Sequence, residues 1–133
     1  MPIIVSLIEE ETDFDELHPM IFDSWQDPPN PQLKHFRPSY LNREESIEYG
    51  KKRSVNTFRA KNPKTFMLKA VDTDTKKAVG YAQWCVNDNP GHSEPTVATW
   101  YPEGSDERKF AEMFINGLWS YMSDRVTRPH MGK

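Results

Sequence analysis

Four histidines, His18, His35, His92 and His130, are the first candidates for metal ligation or proton transfer. None stands at i, i+2 or i, i+4 from another, the spacings that turn two imidazoles toward one ion. A metal site would therefore need convergence in the fold rather than a local motif. Cys85 is the only cysteine, so no intramolecular disulfide can form and a reducing compartment is expected. It follows Trp84 in a strand-like stretch and reads as a buried, inert thiol rather than a nucleophile. Asp72 and Asp74 resemble the start of a calcium loop, but neither the glycine nor the closing glutamate follows in register, which leaves a turn. The chain contains no G-x-S-x-G, no P-loop and no G-x-G-x-x-G. Trp84 and Trp119 fall within predicted elements and are expected in the core. His35-Phe36-Arg37 and Trp100-Tyr101-Pro102 fall in long loops, where aromatic side chains line a pocket, dock a partner or pin the loop to the body.

The elements that must position these residues follow from hydrophobic period. Ile3, Val5 and Leu7 alternate with Ile4, Ser6 and Ile8, which suits a strand over residues 2–8. Asp13 and Glu16 mark a helix start, with Phe14, Leu17, Ile21 and Trp25 on one face. Pro19 either kinks this helix or begins a second one, because it has no N–H for the ladder. Residues 26–40 carry four prolines among polar residues and read as a long loop of the kind that lines a site. Asn42 with Glu45 opens a helix to about Lys61, stopped by Asn62-Pro63, with Ile47, Val55 and Phe58 near one face and Lys51, Lys52, Arg53 and Arg59 solvated. The period then changes to two: residues 65–72 and 78–86 are strands joined by the polar turn 72–77. A second long loop spans residues 87–104. A helix capped at Ser105 follows, with an apolar stripe of Phe110, Met113, Phe114, Leu118, Tyr121 and Met122. The resulting order, β-α-α-β-β-α, predicts an α+β fold with a three-stranded, mainly antiparallel sheet and helices on both faces.

With 133 residues the chain fits one domain, and about two thirds of its surface can be buried without staples. Four Trp, five Tyr, seven Phe and six Met supply core volume, which argues against disorder. A net charge of −3 and a pI near 5.8 give no basic footprint for nucleic acid or anionic membrane. The apolar opening Ile3–Ile8 lacks a basic flank and meets Glu9, Glu10 and Glu11 at once, unlike a signal peptide. No stretch approaches 18 apolar residues. A cytoplasmic protein is expected.

The β-α-α-β-β order, the run Trp100-Tyr101-Pro102-Glu103-Gly104, then Phe110-Ala111-Glu112-Met113-Phe114 and Arg128-Pro129-His130-Met131 resemble the N-terminal half of a GNAT superfamily N-acetyltransferase. The likeness is to the filamentous-fungal branch, in which Arg-Pro-His leads into the fourth strand. It covers nearly the whole chain at the level of pattern. The family cradles the pyrophosphate of acetyl-CoA on a Q/R-x-x-G-x-G/A loop at a helix N-terminus, a geometry that requires glycine. No two of the six glycines here are spaced G-x-G, and the family's late tyrosine acid has no counterpart. The resemblance implies an acceptor pocket built from the loop between the first two helices and from the central strands. Carried onto this chain, it points to Trp25, His35, Arg37, Tyr40 and Trp84, with His35 or Tyr40 available for acid–base work.

Three readings follow. In the leading one, a GNAT-like protein without the acetyl-CoA motif binds or acts on a small molecule in a fungal metabolic or biosynthetic pathway, without acetyl transfer and without a cofactor. In the second, an N-acetyltransferase is completed by a dimer mate or separate subunit, which would restore acetyl-CoA. In the third, the chain is a non-catalytic interaction module. Each leaves strand 78–86 as an apolar edge, so a homodimer or obligate partner is expected on that strand or on helix 105–123.

Overall fold

The computed structural model describes residues 2–38, 41–88, 94–123, 125 and 128–132. Within the span expected as one domain the chain forms two compact units: Met1–Pro29 with Asn42–Val86 and Met131–Lys133, and Asn30–Leu41 with Asn87–His130. The order is β1 (Ile3–Leu7), α1 (Asp13–Ser24), a 3-10 turn (Pro31–His35), α2 (Arg43–Arg59), β2 (Thr65–Asp72), β3 (Ala78–Asn87), α3 (Asp106–Ser123) and β4 (His130–Gly132). The α+β class and the antiparallel β1-β2-β3 sheet are as expected. The three-residue β4 stands next to β3 in the strand order. The edge expected to be free at residues 78–86 is therefore flanked in part, by a three-residue strand, and the strand at the opposite end of the sheet is β1.

In the first unit, register decides which residues meet the helices. Met67 pairs with Gln83 and Lys69 with Tyr81, while Phe66 pairs with Trp84 and Leu68 with Ala82. Adjacent positions point to opposite faces. Met67, Ala78 and Tyr81 pack with Ile8, Phe14, Leu17, Val55 and Phe58, so α1 and α2 cover that face together. Phe66 and Trp84 project from the other. Three ion pairs tie α1 and the turn before it to α2: Glu11–Arg59, Asp15–Lys51 and Asp23–Arg43. Early residues of α1 pair with late residues of α2, which is the antiparallel arrangement. These pairs are exposed and contribute more to register than to stability.

Local signals were spent differently at the two helix starts. Asn42 makes the expected capping box, accepting from Glu45 N–H at 2.9 Å while Glu45 accepts from Asn42 N–H at 3.0 Å. At α1 the N-cap is Thr12 and makes no side-chain cap bond. Asp13 instead holds Lys69 of β2 at 2.8 Å, and Glu16 accepts from Ala78 N–H at 2.7 Å. Tertiary contacts have taken the carboxylates that the sequence assigned to capping. The helix also runs unbroken through Pro19. The stretch expected as loop throughout, residues 26–40, includes the 3-10 turn, capped by Asn30, which accepts from Gln32 N–H at 3.0 Å.

The second unit contains the largest departure. Ser105 caps α3 as expected, accepting from Arg108 N–H at 3.3 Å. Among the described residues of α3, Ala111 and Ile115 are buried, whereas Phe110, Met113, Leu118 and Tyr121 of the expected core stripe are exposed, Phe114 is half-buried and the Met122 side chain lies outside the described residues. The helix turns its polar side to the preceding loop instead. Glu112 accepts from Ala98 N–H at 3.0 Å, and Asn116 bonds both N–H and C=O of Thr96. Arg108 and the Ala98 amide together hold the Glu112 carboxyl below the usual carboxylate range. Trp84 and Trp119, expected in the core, are 40% and 44% exposed. Their strand and helix form as read, but the faces that carry them are not the packed ones.

Candidate small-molecule site

The five residues expected to line an acceptor pocket are gathered by neither unit. Trp25 caps the C-terminus of α1, on the helix-covered side of the sheet, and is about half exposed. Trp84 projects from the other face. His35 and Arg37 belong to the second unit. There the His35 ring lies 4.7 Å from Phe110 and 5.5 Å from Phe114, with Phe36 5.6 Å from Phe114. These aromatics pin the loop to α3, one of the three roles open to them from sequence. Burial lowers the Arg37 guanidinium from its ordinary value. Tyr40 lies outside the described residues, as do His92 and the side chain of His130. Trp100 buries its indole N–H with no acceptor among the described residues, and its ring lies 6.3 Å from Tyr101.

The first unit does assemble a polar cluster that sequence reading missed. His18 of α1 and Ser54 of α2 share a hydrogen bond of 2.8 Å between Nε2 and Oγ. Tyr81 lies beside them and donates to Gln83 Oε1 at 3.2 Å. Burial holds His18 below the ordinary imidazole value, with Lys51 adding to the effect, and burial raises the Tyr81 phenol. A histidine beside a serine hydroxyl is the geometry of a nucleophile with its base, which needs a third group to orient the ring. Here Nδ1 abuts Gly50, so closely that a Cβ there would come within 3.0 Å of it. The cluster ties α1 to α2, with His18 buried and Ser54 and Tyr81 half-buried. Thirty-six residues separate the pair, so no local motif announces it. Cys85 is half-buried, with Sγ 3.7 Å from Thr65 Oγ1.

A cleft opens where β1 and β2 meet the end of α2. Its volume is about 340 Å³, and its walls are Leu7, Ile8, Phe58, Phe66 and Met67, with Thr57, Lys61, Asn62 and Thr65 at the polar rim. Volume and composition fit a small-ligand site, in which apolar walls supply affinity and a few polar groups set orientation. Local backbone shapes the rim. The last turn of α2 closes with Lys61 in the left-handed region at φ 47°, its N–H donating to Phe58 C=O at 3.2 Å. Asn62 Oδ1 then accepts from Lys64 N–H at 3.0 Å, which turns the chain into β2. Among the described residues the Lys61 ammonium has no carboxylate partner, leaving one cation at the rim. Phe66 connects this cleft to Trp84, its cross-strand neighbour.

Among the described residues no three His, Cys, Asp or Glu side chains converge on a metal-sized site, and no helix is long and apolar enough to cross a membrane. The chain matches no protein-family model, no curated protein and no solved structure.

Proposed function

We propose that this chain is a GNAT-like, small-molecule-binding protein that does not itself transfer acetyl groups, acting in a metabolic or biosynthetic pathway. The observation that carries the reading is the cleft beside Phe66, whose size and apolar walls suit a ligand of modest size. The GNAT likeness itself rests on the sequence pattern, and the order of strands and helices supports the α+β class that goes with it. The lack of any G-x-G in the chain supports the loss of acetyl transfer. Of the acceptor residues carried over from the resemblance, Trp84 is the one placed to report on this cleft, through Phe66. The unpaired Lys61 favours a carboxylate at the ligand's polar end. Helix 105–123, where Met113 and Tyr121 are well exposed, is proposed as a surface for a different protein, separate from any self-association of this chain.

Titration of the chain with octanoate, 4-phenylbutyrate and octylamine, followed by tryptophan emission, tests this. Both carboxylates are expected to shift the emission saturably and octylamine to bind more weakly. Lys61→Met should cost roughly tenfold in carboxylate affinity, the effect of losing one partly solvated charge contact. Thr57→Trp, which fills the cleft, should abolish the response. No saturable signal from any of the three probes at millimolar concentration would defeat the reading.

A further inference from the structure

The outer edge of β1 carries a pattern that is its own complement. Ile8 N–H donates to Met67 C=O at 2.9 Å, and Thr73 N–H donates to Pro2 C=O at 3.0 Å. Both bonds obey the β1–β2 register, in which Ile4 faces Val71 and Ser6 faces Lys69. Backbone groups alternate sides along an antiparallel strand, so the even-numbered residues of β1 bond β2. Ile3, Val5 and Leu7 therefore turn their N–H and C=O groups outward. Among the described residues no strand lies on that side. All five residues of β1 are exposed, Val5 most of the four apolar ones at 63%. The strand contains no charge, no proline and no bulge, the devices that ordinarily blunt an edge.

We infer that β1 is a homodimer seam, pairing antiparallel with β1 of a second copy about a two-fold axis through Val5. A two-fold at that point sets Val5 against the partner's Val5, Ile3 against the partner's Leu7, and Leu7 against the partner's Ile3. Each such pair exchanges two hydrogen bonds, so every outward N–H and C=O of the strand is satisfied. A centre at Ile4 or Ser6 would instead oppose groups already bonded to β2. The side chains agree with this register. Val5 and Leu7 share a sheet face with Ala70 and Leu68, their registered neighbours, so the seam joins two apolar faces into one. The contact uses the same surface of both copies and closes on itself. The occupant is thus a second copy rather than an unrelated strand, because the pattern is self-matching end to end. The seam is shorter than a standard interface, so association in the micromolar range is expected.

Sedimentation velocity of the full chain from 1 to 200 µM tests the inference, with three variants. The wild type should shift from monomer to dimer across that range. Val5→Pro removes an outward N–H without touching the bonds to β2, so it should stay monomeric with unchanged circular dichroism. Val5→Lys and Val5→Glu should each be monomeric alone and dimeric when mixed, since the axis sets the two side chains together. Met113→Glu, on α3, should leave the wild-type dimer intact. A wild type monomeric at 200 µM overturns the inference. So does a dimer that survives Val5→Pro, or that Met113→Glu dissolves. If Val5→Pro fails to fold, the mixing of Val5→Lys with Val5→Glu decides alone.

Discussion

Replacing Phe14 with alanine is expected to destabilise the first unit by about 3–5 kcal/mol, the range for deleting a buried phenylalanine. Phe14 is fully buried, and its ring sits 6.0 Å from Phe58 and 6.4 Å from Tyr81, both close to edge-on. Such pairs add to the area term. The fully enclosed apolar cluster is small, consisting of Ile8, Phe14, Leu17 and Met67, so few neighbours remain to fill the hole. Phe14 also joins α1 to α2 and to β3 at once, so its loss loosens three contacts together. For a chain of this size the change corresponds to a fall in melting temperature of roughly 10–20 °C. Thermal unfolding followed at 222 nm checks it. A fall under about 3 °C would mean that Phe14 does not hold the helices to the sheet.

His18 should make the stability of the same unit fall with acidification. Well above pH 6.5 the imidazole is neutral both folded and unfolded, and pH has no effect through it. Below that value the unfolded chain takes up a proton that the buried ring resists, because burial and Lys51 hold its folded pKa down. The unfolded state then binds more protons, so stability drops as pH falls until the folded-state value is passed. Urea midpoints between pH 8 and pH 5 should show this loss, and His18→Leu should flatten it. His18→Ala should cost about 1–3 kcal/mol at pH 8, by removing the hydrogen bond to Ser54 and opening a void. Gly50 supplies an independent check. Alanine is ordinarily the better helix residue by about 1 kcal/mol, yet here its Cβ would press on His18 at 3.0 Å. Because Ser54 and Phe14 hold that ring in place, Gly50→Ala alone should destabilise. In the His18→Ala background the same change should stabilise. An unchanged sign in the two backgrounds would contradict the packing around His18.

Much of the fold was legible because periodicity reports local structure. The Asn42 box, the strands at residues 65–72 and 78–86 and the Ser105 cap are local signals, and each element formed near its expected bounds. What periodicity does not report is which face finds a neighbour. The stripe Phe110–Tyr121 has helical spacing, but α3 buries Ala111 and Ile115 because Glu112 and Asn116 are needed by the backbone of the preceding loop. Trp84 is in a strand as read, yet register with Phe66 turns it away from the helices. The His18–Ser54 pair was invisible for the opposite reason: both residues were in plain sight, on helices whose packing joins them only in three dimensions. The cleft was missed because its rim comes from a helix exit, Lys61 and Asn62, that reads in sequence only as a stop signal.

The claim that the chain keeps a small-molecule site without acetyl transfer is tested most directly by calorimetric titration of the purified chain with acetyl-CoA. No G-x-G loop is present to cradle a pyrophosphate. The account therefore predicts no heat beyond dilution at millimolar acetyl-CoA. Saturable binding in the micromolar range would contradict it and make the chain an acetyl-CoA-binding protein by another route.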